Sequence, residues 1–375
     1  LDSKDQENIV ELTANKLKGL GDEDFLSPLL ELEKKSASTL KLAEVPNKIG
    51  EKYLPVQVEK RDLSFRKFSG KIDREWQVSS FSYLISGKSY LIEREDRDAM
   101  ILPGIDKQEG SPEMTAREEE PQGIFSFPKG TKAGILFHDL FEHLNFTQNN
   151  PAHIKRLVAD KLKEYGFELT WVEIIYEMIQ KILSISLEPE DKNLKLSCIR
   201  DEDRINELEF YFPLKLISVK KLKSLFAEYA DTPLKMEFPE RIERLDFSPI
   251  KGFMKGFIDM VFQYQGRFYL VDWKSNYLGN RVEDYGQEKL REVMENEFYV
   301  LQYHIYSLAL HQYLKTRILD YDYERHFGKV YYIFLRGVDP DWGPEYGIYR
   351  DRPPGELIEA LCENLIEKTK RIDRE

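Results

Sequence analysis

GFMKGFIDMVFQYQGRFYLVDWKSNYLG, residues 252–279, reads as two apolar strands meeting at a tight Gln265-Gly266 turn. If those two residues form the whole loop, Tyr264 pairs with Arg267, and five further steps along each strand put Asp259 directly opposite Asp272. A three-residue loop with a bulge at Gly266 moves that register by one. Facing carboxylates repel, and one of them is pushed toward protonation unless a cation sits between them. Side chains alternate along a strand, so Asp272 and Lys274 share a face while Trp273 takes the other. Phe257, Ile258, Met260 and Val261 around one acid, and Leu270, Val271 and Trp273 around the other, place both at least half inside, which surface decoration does not require. Carboxylates that hold Mg²⁺ or Mn²⁺ beside a compact ammonium charge suit metal-assisted hydrolysis of a phosphodiester. The lysine then orients an attacking water or stabilises the negative charge of the pentacovalent state.

Outward from the hairpin, the apolar periodicity predicts helices over 134–146, 152–164 and 170–186, a strand over 207–217 and a helix over 219–229. Beyond the strands at 252–263 and 267–274 come helices over 284–295 and 298–315, a strand over 328–336 and a closing helix over 355–371. This order predicts an α/β fold with a central mixed β-sheet flanked by helices, the metal site lying where the hairpin meets the first helix. That helix contains GILFHDLFEHLNF, with Leu136, Phe137, Leu140, Phe141 and Leu144 as its core stripe and His138 at the stripe's edge. Glu142 follows four residues later on the same side, a spacing that lets both approach a cation, although a lone histidine there also fits a hydrogen-bonded core position. In EFYVLQYHIYSLALHQYL, Gln302 and Tyr306 share a face suited either to gripping DNA or to packing in the core. His304 and His311 read as surface or packing residues.

The chain has 375 residues, 41% of them hydrophobic, and a formal net charge of −12, which argues against passive coating of nucleic acid. Lys215, Lys220, Lys221 and Lys223 form a local basic stretch that reads as a solvated helix face. Cys198 and Cys362 are far apart and offer neither a disulfide framework nor a zinc spacing. No apolar run is long enough to span a membrane and no secretory leader opens the chain, so the expected location is cytoplasmic. Leu1 in place of Met suggests a piece of a larger polypeptide. Composition divides it into an N-terminal appendage over 1–92, a charged linker rich in proline and glycine over 93–122, and a compact domain over 123–375. No phosphate-binding G-x-x-x-x-G-K-[ST] loop occurs, so no ATPase is expected in this chain.

Taken together, these segments resemble the RecB-type nuclease branch of the PD-(D/E)xK superfamily. FPKGTKAGILFHDLFEHLNFTQ (127–148) is similar to the family's histidine helix, NELEFYFPL (206–214) to its first core strand, and GFIDMVF with YLVDWKSNYLG to its metal hairpin. QYHIYSLALHQYL resembles its Q-x-x-x-Y helix, and WQVSSFSYL (76–84) the segment preceding the nuclease. The resemblance implies a restriction-endonuclease-like core behind a helical appendage, in which His138, Asp259 and Asp272 bind Mg²⁺, with Mn²⁺ as a substitute, and Lys274 is catalytic. The main-chain carbonyl of Trp273 is a further implied ligand. The implied enzyme is a metal-dependent deoxyribonuclease of exodeoxyribonuclease V type, able to cut single-stranded DNA internally, with RecC-like and RecD-like partners in double-strand-break repair. The alternative reading is a non-catalytic DNA-binding or scaffolding module, and the metal chemistry alone does not separate DNA from RNA. On the picture of two facing acids, Asp272→Ala is expected to abolish cleavage while leaving folding intact or slightly improved.

Overall fold

The computed structural model describes residues 14, 17–36, 39–44, 76–86, 123–148, 150–229 and 233–367. The expected linker at 93–122 lies outside them. Contacts divide the chain into two units, Leu1–Gly70 and Lys71–Glu375. The described part of the first centres on helix α1 (Asp22–Lys35), which ends at Ser36, whose hydroxyl donates back to the Glu33 carbonyl.

In the second unit one sheet contains six strands: β1 (Trp76–Ser79), β2 (Arg204–Ile217), β3 (Ile250–Tyr264), β4 (Arg267–Lys274), β5 (Phe327–Phe334) and β6 (Ile348–Asp351). β3 is antiparallel to β2 and β4, β4 is parallel to β5, and β6 returns antiparallel at the edge. This is the expected mixed α/β sheet with a PD-(D/E)xK-like core. Gln265 and Gly266 both take left-handed φ, 49° and 77°, as a two-residue primed turn demands, and Tyr264 faces Arg267. The register with the bulge is not the one adopted.

Helices cover both faces. On one side lie α3 (Thr131–His143), α4 (Pro151–Glu164) and α5 (Val172–Ser184), following the short α2 (Phe81–Ser86) in the chain. Leu136, Phe137, Leu140 and Phe141 of α3 pack there with Met260, Phe262, Val271, Trp273 and Ile333 of the sheet. On the other side are α6 (Val219–Glu228), α7 (Pro233–Ile242), α8 (Gln287–Asn296), α9 (Tyr299–Arg317) and α10 (Gly355–Leu365). Leu301, Ile305 and Leu308 of α9 meet Ile258, Val261, Leu270 and Tyr332. Because α9 is buried nearly all round, its sequence has little amphipathic bias. No helix among the described residues is long and apolar enough to cross a membrane.

Some expectations change. Pro233 and Pro239 disguise α7, and β6 is only four residues long, so periodicity predicted neither. The closing helix stops at Leu365 rather than 371, because Ile366 bridges to Leu214 and the Glu367 N–H donates to the Pro213 carbonyl. The basic stretch is partly structural: Lys215 and Lys221 donate to the Glu363 and Asn364 carbonyls, and Lys223 pairs with Glu243. β1, placed in the appendage by composition, runs parallel to β3 with Trp76 opposite Lys251.

That last contact depends on Gly252, at φ 132°, where an added Cβ would run into the Gln77 main chain. Gly252→Ala should lower the unfolding free energy by about 1–3 kcal/mol. A urea titration of both chains measures it, and an unchanged midpoint would mean that β1 adds nothing to the stability of the sheet.

Candidate metal centre

The β3–β4 ladder runs inward from the turn to Met260 opposite Val271 and stops there. Its next rung is that of Asp259 and Asp272, where the sequence predicts two acids face to face. There the Trp273 N–H donates to Asp259 Oδ2 at 2.8 Å, so a side-chain oxygen takes the place of a main-chain acceptor. Asp272 turns toward the α9 face and meets Lys274 Nζ at 2.6 Å, with both residues at most 1% exposed. The predicted shared face of Asp272 and Lys274 therefore exists, and Trp273 does point the other way, stacking on Phe141 of α3 at 4.3 Å. The charge balancing Asp272 in this structure is the lysine.

A second irregularity lies at Asp259 itself. Met260 and Phe262 pack on the α3 side of the sheet, whereas Ile258 packs on the α9 side, so the alternation of β3 slips by one residue at Asp259. β2 slips at the same rung. Arg204 and Asn206 donate to the Leu144 and Glu142 carbonyls on the α3 side, while Leu208 and Phe210 pack on the α9 side. Between them Glu207 takes a left-handed φ of 49°. The register is kept, with Asn206 opposite Met260 and Leu208 opposite Ile258. A non-glycine residue in that conformation costs about 1–3 kcal/mol and persists where its surroundings hold it.

The result is a cluster. His138 Nδ1 lies 3.3 Å from Asp259 Oδ2, and ligand atoms of His138, Glu207 and Asp259 all fall within 4.8 Å of one another. On an octahedral cation with ligands at about 2.1 Å, neighbouring ligand atoms are about 3 Å apart and opposite ones about 4.2 Å, so this set needs only slight contraction. Two carboxylates and an imidazole balance a divalent charge and suit a hard or borderline cation. Glu207 was not singled out from sequence. In NELEF it and Glu209 sit at i and i+2 between apolar residues, and strict alternation gives them the same face. Nothing local distinguishes the two.

Glu142, expected to join His138, is exposed and groups instead with Asp139 and His143, while Lys161 Nζ lies 2.6 Å from Asp139. Gln302 and Tyr306 are 1% and 3% exposed beneath the Asp272–Lys274 pair rather than on an outer face. Tyr332 OH donates to Gln302 Oε1 at 2.9 Å, and Gln302 Nε2 donates to Tyr306 OH at 3.1 Å. Burial, then the nearby Asp272 charge, hold the Tyr332 hydroxyl well above its ordinary pKa, so it stays a donor. Lys274 Nζ sits 4.0 Å from the centre of the Tyr299 ring and 5.2 Å from that of Tyr332. His304 and His311 are both buried, neither on the surface.

No family model matches the chain. It is similar to the RecBCD enzyme subunit RecB of Escherichia coli, 37% identical over 289 residues, which cover 77% of this chain and 23% of that protein. Against RecBCD enzyme subunit RecB of Haemophilus influenzae it is 31% identical, covering 88% of this chain and 27% of the relative. For the corresponding subunit of Mycolicibacterium smegmatis the identity is 28%, over 83% of this chain and 31% of the relative. The chain thus spans 23% and 27% of the length of the first two of these proteins.

The buried ion pair reverses the stability expected of Asp272→Ala. Removing the acid leaves Lys274 charged and buried without it, so the variant should lose about 3–5 kcal/mol of unfolding free energy in EDTA. Adding Lys274→Met should recover most of that loss. Urea titrations of the three chains test this, and an Asp272→Ala chain as stable as the parent would show that the pair adds no stability.

Proposed function

Since the chain belongs to the RecB-type branch of nuclease-domain sequences, we propose that it is a metal-dependent DNA nuclease module, of exodeoxyribonuclease V type, from a RecB-like helicase-nuclease. The observation that carries this reading is the convergence of His138, Glu207 and Asp259 beside the strand bearing Asp272 and Lys274. In it, His138, Glu207 and Asp259 hold Mg²⁺, or Mn²⁺ in its place, with Asp272 and the Trp273 carbonyl as further ligands. A bound ion supplies Lewis acidity at the scissile phosphate.

The chain's own groups do the rest. Asp259 ties the ligand cluster to β4 through the Trp273 N–H, and α9 keeps water from the back of the site by burying Gln302 and Tyr306. Lys274 contributes a fixed positive charge toward the phosphoryl group, and its pairing with Asp272 keeps it next to the ligand strand. Residues 123–375, joined in one sheet by β1, form the nuclease in this proposal, with the residues before β1 the end of a preceding region. Its partners are DNA and RecC-like and RecD-like subunits, its setting cytoplasmic and its role double-strand-break repair.

The test is cleavage of linear and circular single-stranded DNA by the purified chain with Mg²⁺, with excess EDTA, and with Lys274→Ala alongside. Cutting should require Mg²⁺, include circles, and fall about 10²–10³-fold in the variant. A folded chain that binds metal and cuts neither substrate would point to the scaffolding reading.

A further inference from the structure

We propose that Arg336 is a positioning residue that sets the histidine helix against the metal hairpin; the inference rests on the reading of His138, Glu207 and Asp259 as ligands. Arg336 lies in the turn Leu335–Gly337 directly after β5 and is 2% exposed. Its four hydrogen bonds all go to main-chain oxygens. Nη1 donates to Ile124 at 2.7 Å and Phe127 at 3.0 Å, Nη2 to Pro128 at 2.8 Å, and Nε to Ser275 at 3.2 Å. The first three belong to the segment that leads into α3, and the fourth belongs to the residue that follows Lys274. One planar guanidinium thus links the chain entering the His138 helix to the chain leaving the lysine strand.

The geometry demands arginine. Its five donors point outward in a rigid plane, so separated acceptors on different sides are reached together, whereas an ammonium is a single point. Burial lowers the guanidinium's pKa. The anchored segment is also packed onto the helix it precedes: the Phe127 ring lies 5.1 Å from that of Phe137, the neighbour of His138. On the other side, the Tyr285 hydroxyl accepts from the Leu278 N–H at 3.2 Å, and a Cβ at Gly337 would strike the Tyr285 ring. The loop after Lys274 is therefore held at Ser275 and again at Leu278. His138 approaches Asp259 from another layer of the fold, so its distance depends on how α3 is docked, and Arg336 fixes that docking.

Arg336→Lys keeps the charge and loses the fork. Manganese alone, titrated calorimetrically into the whole chain, should bind it at least about tenfold more weakly than the parent, as for other groups that orient ligands. In EDTA, amide hydrogen exchange should quicken along α3 and stay unchanged in β3 and β4. Gly252→Ala, destabilised through β1, should keep parental Mn²⁺ affinity and α3 protection. Unchanged affinity and α3 exchange in Arg336→Lys would overturn the proposal, as would an equal loss of affinity in Gly252→Ala. The same readings on Arg336→Gln apply if the lysine variant does not fold. A parent chain that takes no Mn²⁺ would instead refute the ligand assignment, while α3 exchange in EDTA still decides what Arg336 holds.

Discussion

At the rung of Glu207 and Asp259, two neighbouring strands lose one step of alternation together, and the site depends on that shared slip. A slip in one strand alone would leave an unpaired residue and move every later side chain out of register with its partner. Because both strands slip, the hydrogen-bonded register on either side survives, and two acids turn toward the histidine helix. The left-handed φ of Glu207 is the local cost, and the Asp259 bond to the Trp273 N–H closes the end of the β3–β4 ladder.

The hairpin then serves two layers at once. Toward α3 it presents the oxygen-rich cluster and the Trp273 ring that stacks on Phe141. Toward α9 it presents the Asp272–Lys274 pair, backed by tyrosine rings and by the Tyr332–Gln302–Tyr306 chain. Burying an ion pair gains little over apolar packing, but losing one member is expensive. The arrangement is therefore better understood as fixing where a lysine charge sits than as a source of stability. The polar network under it satisfies groups on α9 that would otherwise be buried without partners.

Relatedness to RecB subunits covers most of this chain and a minority of theirs, so it bears on one module of those proteins. Long-range contacts hold the module's segments together. Arg336 ties loops that enter and leave different layers, and the carbonyls of Glu363 and Asn364 are held by lysines from β2 and α6. Such contacts join segments far apart in the chain, which matters for a cluster whose ligands come from α3, β2 and β3.

Local sequence determined the hairpin: a two-residue turn and the alternation of apolar residues set the Tyr264–Arg267 register and the common face of Asp272 and Lys274. It also determined the order of most helices and strands, because their periods are written in neighbouring residues. Helix α7, with its two prolines, and the four-residue β6 escaped because neither carries enough period to read. Tertiary structure alone chose Glu207 over Glu209, paired Asp272 with Lys274, and placed Gln302 and Tyr306 inside. Each of those outcomes depends on a backbone slip or on burial by an element distant in sequence, and neither is encoded in the spacing of side chains along a single strand or helix.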